Sequence, residues 1–263
     1  MSAVFMFLGM LALILINVPI GISLGVVAMV AMVIHGGMDS LLSGAITMFT
    51  GATSFPLLSI PLFILAGAIM NSSSLSRRLI AFASALFGFI KGGLAMVNIG
   101  TSLFFAEISG SAVADVAAMG SILIPSMKKK GYPKEFAAAI TSSSATLAII
   151  IPPSIPMILY AVMADASVVQ IFVAGIVPGI LGGGGMMALA YWYAKRYNYP
   201  VEEVFSWSKV WSTFKDAAWA FCLPMIILGG IFGGWVTATE GAALAVLAAL
   251  FIGGVIYREL NFK

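Results

Sequence analysis

Charged residues are scarce in this sequence. Of its 263 residues only 9% are Asp, Glu, Lys or Arg, whereas 61% are hydrophobic. About a quarter of the residues in a soluble domain are charged, so this chain has too few to cover a surface in contact with water. This excludes an ordinary soluble enzyme, a disordered chain and a nucleic-acid-binding protein. The net charge of +3 is typical of a membrane protein with basic cytoplasmic loops.

Cysteine and histidine are also nearly absent. Cys222 is the one cysteine, and His35 is the one histidine. A single cysteine excludes a disulfide framework and a cysteine-based metal cluster. Catalysis usually needs a nucleophile and a base within hydrogen-bond reach, and His35 falls at the end of a hydrophobic run with no lysine inside any such run. We therefore predict that the protein is not an enzyme.

Long uncharged runs take the place of the missing charge. A transmembrane helix needs about 20 apolar residues, whereas the strands of an outer-membrane barrel are about ten residues long and alternate in polarity. The runs here are longer and apolar on every face. They predict an all-α polytopic membrane protein with about six spans, at residues 4–34 (kinked at 17–19), 57–71, 136–164, 166–194, 217–236 and 239–257.

Basic residues predict the orientation of these spans. By the positive-inside rule, the cytoplasmic loops are those that contain Arg77, Arg78, Lys91, Lys128–Lys130, Lys134, Lys195 and Arg196. Both ends of segment 92–127 are then cytoplasmic, and its middle carries the break Ser109-Gly110-Ser111. Non-helical backbone at membrane depth is tolerated where protein or a watery cavity surrounds it. We therefore predict a re-entrant helical hairpin with its tip near mid-membrane.

Two amphipathic segments, 75–91 and 204–218, combine aromatic or aliphatic residues at helical spacing with basic residues. Such helices lie flat at the membrane interface. The alternative is that each is a tilted extension of a neighbouring span. The span at 239–257 runs opposite to the first span, which indicates the start of an inverted repeat.

A second break interrupts the run 136–164. Pro152, Pro153 and Pro156 each remove a backbone donor, so the helix should unwind and free carbonyl oxygens. Hard cations such as sodium take oxygen ligands, and discontinuous helices hold coupling ions and substrate in secondary transporters. The alternative is a proline kink whose carbonyls are satisfied by neighbouring helices.

Hydroxyl and acidic side chains accompany both breaks. Ser142, Ser143, Ser144 and Thr146 precede the prolines, and their alternative role is to bond carbonyls of their own helix or to permit close helix packing. At the hairpin tip, the start of the returning helix favours an anionic group. Intramembrane acids are functional candidates, so Glu107 and Asp115 are predicted to bind an ion or act at a hinge, or else to cap or pair structurally. Glu240 is predicted to form a capping box with Thr237.

Several motifs together resemble the large membrane subunit of tripartite ATP-independent periplasmic (TRAP) transporters. They are Phe-Phe-Ala-Glu-Ile-Ser-Gly-Ser-Ala-Val-Ala-Asp at 104–115, Gly-Ser-Ile-Leu-Ile-Pro at 120–125, Ile-Pro-Pro-Ser-Ile-Pro at 151–156, Ala-Gly-Ile-Val-Pro-Gly at 174–179 and Thr-Ala-Thr-Glu-Gly-Ala-Ala at 237–243. The resemblance extends over essentially the whole chain. Its specificity comes from the combination and order of the motifs.

The resemblance implies sodium-coupled uptake of a small organic acid, such as a C4-dicarboxylate or a sialic acid, across a bacterial inner membrane. It implies a small membrane subunit and a periplasmic solute-binding protein as partners, and an elevator motion. Carried over by motif, the substrate-binding residues are Ser109, Gly110, Ser111, Ser142, Ser143, Pro153 and Ser154. The sodium ligands are Ser109, Ser111, Ser144, Thr146 and Pro152.

The same resemblance implies a division of the chain. Scaffold spans and an interfacial arm helix occupy residues 1–91, the hairpin and broken helix of a transport domain 92–165, a closing span 166–202, and the start of an inverted repeat 203–263. The family's large subunit usually has a second half with an opposing hairpin. We therefore expect either a fragment or a chain completed by another one, and no transport by these residues alone. A passive channel and a structural membrane subunit remain the alternatives.

Overall fold

The computed structural model describes residues 3–73, 75–202 and 204–259, without the side chains of residues 107–109. Within these ranges all regular structure is helical, which confirms the predicted all-α class. The chain divides into two compact units, Met1–Ser54 and Phe55–Lys263.

The first unit consists of three helices: α1 (Ala3–Leu15), α2 (Ile20–Gly36) and α3 (Ser40–Ala52). Asn17 takes the left-handed conformation, with φ of 67°, and Pro19 precedes the first turn of α2. A Cβ atom on Gly9 would lie 3.7 Å from a methyl group of Val27, so α1 and α2 lie side by side. The predicted single kinked span over residues 4–34 is therefore wrong, because the chain reverses at Asn17.

The second unit begins with a 3-10 turn, Phe55–Leu58, and contains ten further helices among the described residues. The first five are α4 (Ser59–Ser72), α5 (Leu75–Phe87), α6 (Gly93–Ser109), α7 (Ala112–Lys129) and α8 (Lys134–Ala145). The others are α9 (Leu147–Ile150), α10 (Ile155–Met163), α11 (Val168–Arg196), α12 (Trp207–Phe232) and α13 (Ala238–Phe251), which continues as a π-helical turn, Ile252–Ile256.

Within the described residues, four helical segments are long and apolar enough to cross a membrane: Phe55–Ser72, Val168–Arg196, Trp207–Phe232 and Ala238–Ile256. A fifth span results if α8–α9 and α10, bent by 41° at their break, are one crossing. These five segments correspond to five of the predicted spans. The chain is a multi-pass membrane protein.

The predictions for the two amphipathic segments, 75–91 and 204–218, have different outcomes. Helix α5 is separate, and it buries Leu75, Leu79 and Phe82 while Arg77 stays exposed. Residues from Trp207 onward instead continue without interruption into α12. The alternative of an extended span therefore holds for segment 204–218, and the prediction of a separate interfacial helix there is wrong.

Packing in the second unit joins early and late parts of the chain. Helix α13 packs against α4, and α12 packs against α5. The ring of Phe82 contacts Phe104, Phe214 and Phe221 at centroid distances of 5.4–5.7 Å. Helix α6 packs against α5, α7, α8, α9 and α11, so this arm of the hairpin is central to the unit.

Candidate functional site

The hairpin reverses at the predicted Ser-Gly-Ser break. Helix α6 ends at Ser109, and Gly110 takes the left-handed conformation with φ of 57°, which favours glycine. Ser111 is extended and caps α7, because its hydroxyl accepts a hydrogen bond from the Ala114 amide at 3.4 Å. The first amides of α7 therefore lie directly beside the turn.

The broken helix unwinds where the prolines predict it. Helix α9 ends at Ile150 and α10 begins at Ile155. Pro152 and Pro153 lack the N–H groups that would bond the carbonyls of Ala148 and Ile149 in a continuous helix. The Ser154 hydroxyl donates to the Ile149 carbonyl at 2.8 Å and so replaces one missing donor.

The two breaks meet. The Ile155 amide donates to the Gly110 carbonyl at 3.4 Å. A Cβ atom on Gly110 would lie 2.7 Å from the Pro153 carbonyl oxygen and 3.3 Å from the Ser154 Cα atom. The hairpin tip therefore lies directly against the unwound segment, at a spacing that leaves no room for a larger residue at the turn.

Ser144 lies in a buried polar network between α8 and α6. Its hydroxyl donates to the Asn98 Oδ1 atom at 3.1 Å and accepts from the Ser102 hydroxyl at 2.9 Å. The Asn98 amide in turn donates to the Thr141 hydroxyl at 2.7 Å. The Thr101 hydroxyl, also on α6, is fully buried and has no hydrogen-bond partner among the described residues.

The remaining hydroxyls before the break are not brought to the hairpin. Ser142 is exposed and donates to the Ala139 carbonyl at 3.1 Å, and Thr146 donates to the Ser143 carbonyl at 2.6 Å. Ser143 lines an apolar cavity of about 240 Å³ beside Met186 on α11. Among the described residues, no hydrogen bond joins these three side chains to α6 or α7.

The acidic candidates occupy different environments. Asp115 is fully buried in the first turn of α7, where a carboxylate is favoured by the helix dipole. The side chains of Glu107 and Ser109 lie outside the described residues. Glu240 accepts from the Thr237 amide at 2.8 Å, and its own amide donates to the Thr237 hydroxyl at 3.3 Å. The predicted capping box is therefore confirmed.

Sequence reasoning missed the polar residues of α6. Asn98 and Ser102, four residues apart, lie on one helix face, and both are buried. The available signal was three polar residues, Asn98, Thr101 and Ser102, in an otherwise apolar run. Their partners on α8 could not be identified without the relative placement of the two helices.

Glycines on one face of α11 allow it to approach the helix break and α6 closely. A Cβ atom on Gly175 would collide with the Ile150 carbonyl, and one on Gly179 with the Ile151 side chain. A Cβ atom on Gly183 would lie 2.8 Å from Leu103 of α6. Small residues at such spacing permit close helix packing in membranes.

Comparison with known proteins finds similarity to membrane transporter permeases. A family model, "Tripartite ATP-independent periplasmic transporter, DctM component", matches residues 7–263. The isethionate TRAP transporter permease protein DctMQ of Oleidesulfovibrio alaskensis is 44% identical over 252 residues, covering 94% of this chain and 39% of that protein. The C4-dicarboxylate TRAP transporter large permease protein DctM of Vibrio cholerae is 40% identical over 262 residues, covering 99% of this chain and 58% of that protein.

The sialic acid TRAP transporter permease protein SiaT of Haemophilus influenzae is 40% identical over 210 residues, covering 80% of this chain and 34% of that protein. The chain thus spans about half the length, or less, of these curated relatives. The family match covers nearly all of its residues. The chain belongs to the DctM family of tripartite ATP-independent periplasmic transporters.

Proposed function

We propose that this chain forms part of the large permease subunit of a sodium-coupled importer of a small organic acid. The observation that carries the proposal is the contact between the Gly110 carbonyl at the hairpin tip and the Ile155 amide after the helix break. Discontinuous helices that meet in this way are where secondary transporters hold coupling ions and substrate. The relatives named for C4-dicarboxylate and sialic acid transport support an organic acid as the substrate class.

DctM proteins are transporter permeases and not enzymes. The site accordingly needs groups that bind an ion and a solute and release them again. What remains to be assigned is which groups bind the ion and which bind the acid.

The donor chemistry of the helix break fits a sodium ion. Because Pro152 has no N–H group, the Ala148 carbonyl lacks the donor that it would have in a continuous helix. Sodium, a hard cation, prefers such oxygen ligands. We propose backbone oxygens of Gly110, Pro152 and Pro153, with the hydroxyls of Ser109, Ser111, Ser144, Thr146 and Ser154, as the set from which ligands are drawn. The bound ion would supply positive charge beside the substrate.

The start of α7 suits the acid itself. Its amides and positive dipole end favour an anion, and Ser111 places this helix end directly beside the tip. We propose that the tip Ser109-Gly110-Ser111 and residues Pro153 and Ser154 contact the substrate carboxylate. Within the described part of the chain, Ser142 and Ser143 form no hydrogen bond with the hairpin, and their proposed role requires a different conformation.

We also propose that the transporter works by an elevator motion in a bacterial inner membrane. By analogy with the family, a small membrane subunit and a periplasmic binding protein complete the system. The buried network of α6 with α8 and the glycine face of α11 support movement of the hairpin and broken helix as one block.

Reconstitution in liposomes tests this function. The complete subunit and its partners are reconstituted, and uptake of a radiolabelled acid is measured with and without an inward sodium gradient. We expect saturable uptake that requires both the gradient and the binding protein. Uptake indifferent to sodium contradicts the coupling, and single-channel currents without saturation favour a passive channel instead.

A further inference from the structure

A polar cleft of about 670 Å³ lies beside the hairpin, between the α4–α5 corner and the tip half of α7. Its α7 wall consists of small residues, Ala114, Ala117, Ala118 and Ser121, together with Ile122. Such a wall offers little steric obstruction to a small solute that moves along α7.

The opposite wall carries an available cation. Arg77 lines the cleft and is exposed, and it forms no ion pair among the described residues. The neighbouring Arg78 instead contacts Glu259 at 3.4 Å and lies 4.1 Å from the ring centroid of Tyr257. The carboxylate that also borders the cleft is therefore paired with Arg78, and Arg77 can bind an external anion.

An amide beside this cation is held in a suitable orientation. The Ser76 hydroxyl donates to Asn71 Oδ1 at 3.1 Å, so the N–H₂ end of the amide is left for another acceptor. Arg77 and Asn71 thus place a guanidinium and an amide donor on the same wall of the cleft. Charge-assisted hydrogen bonds of this kind are the strong ones for a carboxylate.

The cleft extends toward the substrate site. Ala114, at the tip end of the cleft, donates its amide hydrogen to the Ser111 hydroxyl. Arg77, in the first turn of helix α5, is one of the basic residues predicted to be cytoplasmic. A solute that left the tip along the α7 wall of the cleft would therefore come to Arg77.

We propose that this cleft is the exit site of the transporter, where Arg77 and Asn71 bind the carboxylate of the organic acid after it leaves the hairpin tip. The inference rests on the proposed function. It assigns to the α4–α5 corner a binding step separate from the sodium-dependent step at the tip.

Thiol labelling of the complete subunit tests the exit site. In a Cys222→Ser background, Ser121→Cys places a thiol in the cleft, and Lys129→Cys places one at the base of α7 outside it. Inside-out vesicles are treated with a membrane-impermeant thiol reagent, with succinate as the carboxylate probe and without a sodium gradient. We expect succinate to slow labelling at position 121 and to leave position 129 unchanged.

Charge variants identify the binding groups. We expect Arg77→Gln to raise the succinate concentration for half-protection about tenfold, which corresponds to the loss of about 1.4 kcal/mol. Asn71→Asp should abolish protection, because it adds negative charge and removes two donors. Lys91→Gln is the matched control, and it should change half-protection by less than about twofold, since Lys91 is exposed and does not line the cleft.

Three outcomes overturn the proposal. The first is no labelling at position 121, and the second is unchanged protection in Arg77→Gln. The third is that phosphatidylglycerol vesicles protect position 121 more than phosphatidylcholine vesicles do, while succinate has no effect. The last outcome would assign the cleft to lipid phosphate. Because no gradient is applied, loss of sodium coupling leaves this result unaffected, and the two proposals fail separately.

Discussion

The Ser144 hydroxyl donates to the Asn98 side-chain oxygen at 3.1 Å, and both side chains are completely buried. The other end of the same amide donates to the Thr141 hydroxyl at 2.7 Å. Asn98 therefore links the first arm of the hairpin to two positions of the helix that leads to the break. These bonds hold the two parts of the candidate site in one register.

Asn98→Ala should destabilise the subunit by about 2–3 kcal/mol, because it leaves buried hydroxyls without their partner. Thermal unfolding of the complete subunit in detergent measures this. Ser142→Ala is the control, since Ser142 is exposed, and it should change stability by less than about 0.5 kcal/mol. Strict additivity of Asn98→Ala and Ser144→Ala would contradict the proposed link.

Gly110→Ala should reduce sodium-driven uptake by at least about tenfold. The added methyl group would lie 2.7 Å from the Pro153 carbonyl, and the left-handed backbone costs a non-glycine residue roughly 1–2 kcal/mol. Gly185→Ala is the matched control, because a Cβ atom there meets nothing within 4 Å. Equal uptake by the two variants would show that the tip contact is not needed for transport.

Ser154→Ala tests whether the hydroxyl that satisfies the Ile149 carbonyl stabilises the broken helix. We expect a loss of about 1–3 kcal/mol, since Pro153 cannot supply the donor instead. Ser126→Ala is the comparison: its hydroxyl also donates to a carbonyl, that of Ile122, at 2.8 Å, but within a continuous helix. A loss of stability as large in Ser126→Ala as in Ser154→Ala would contradict the argument.

Tyr132 should make the protein sensitive to alkaline pH. Burial, reinforced by the negative charge of Glu202, raises the pKa of its phenol above the usual value. The folded protein then retains a proton that the unfolded chain releases above about pH 10, so stability falls with rising pH by up to about 1.4 kcal/mol per unit. The check is the free energy of unfolding as a function of pH.

Tyr132→Phe should reduce the loss of stability with rising pH. Tyr160→Phe, at a largely exposed position, should leave this loss as in the parent protein. An unchanged slope in Tyr132→Phe would show that other groups cause the decline. The pair Lys130–Glu202, with an N–O distance of 3.1 Å, is unaffected by either substitution.

The breaks of this fold could be predicted from sequence because they depend on local chemistry. Prolines remove donors wherever they occur, so the unwinding near Pro152 follows from the residue type alone. The Gly110 turn and the Thr237–Glu240 capping box are equally local. These features place the candidate site within the chain, although they do not identify the atoms that bind ligand.

The features that sequence did not predict depend on contacts between distant residues. Asn98 became informative only with Thr141 and Ser144 beside it, and the pairing of α1 with α2 depended on the left-handed conformation of Asn17. Continuity of α12 through Trp207 was one of two open alternatives, since an amphipathic pattern suits both a surface helix and the end of a span.

The glycine face of α11 has a practical consequence. Gly175, Gly179 and Gly183 fit so closely against α9, the unwound segment and α6 that α11 cannot slide past them without steric collision. Its outer surface meanwhile carries Leu181, which is 70% exposed. If the proposed elevator motion occurs, a spin label at Leu181 would therefore follow the displacement of the unwound segment from an outward-facing position on the same helix.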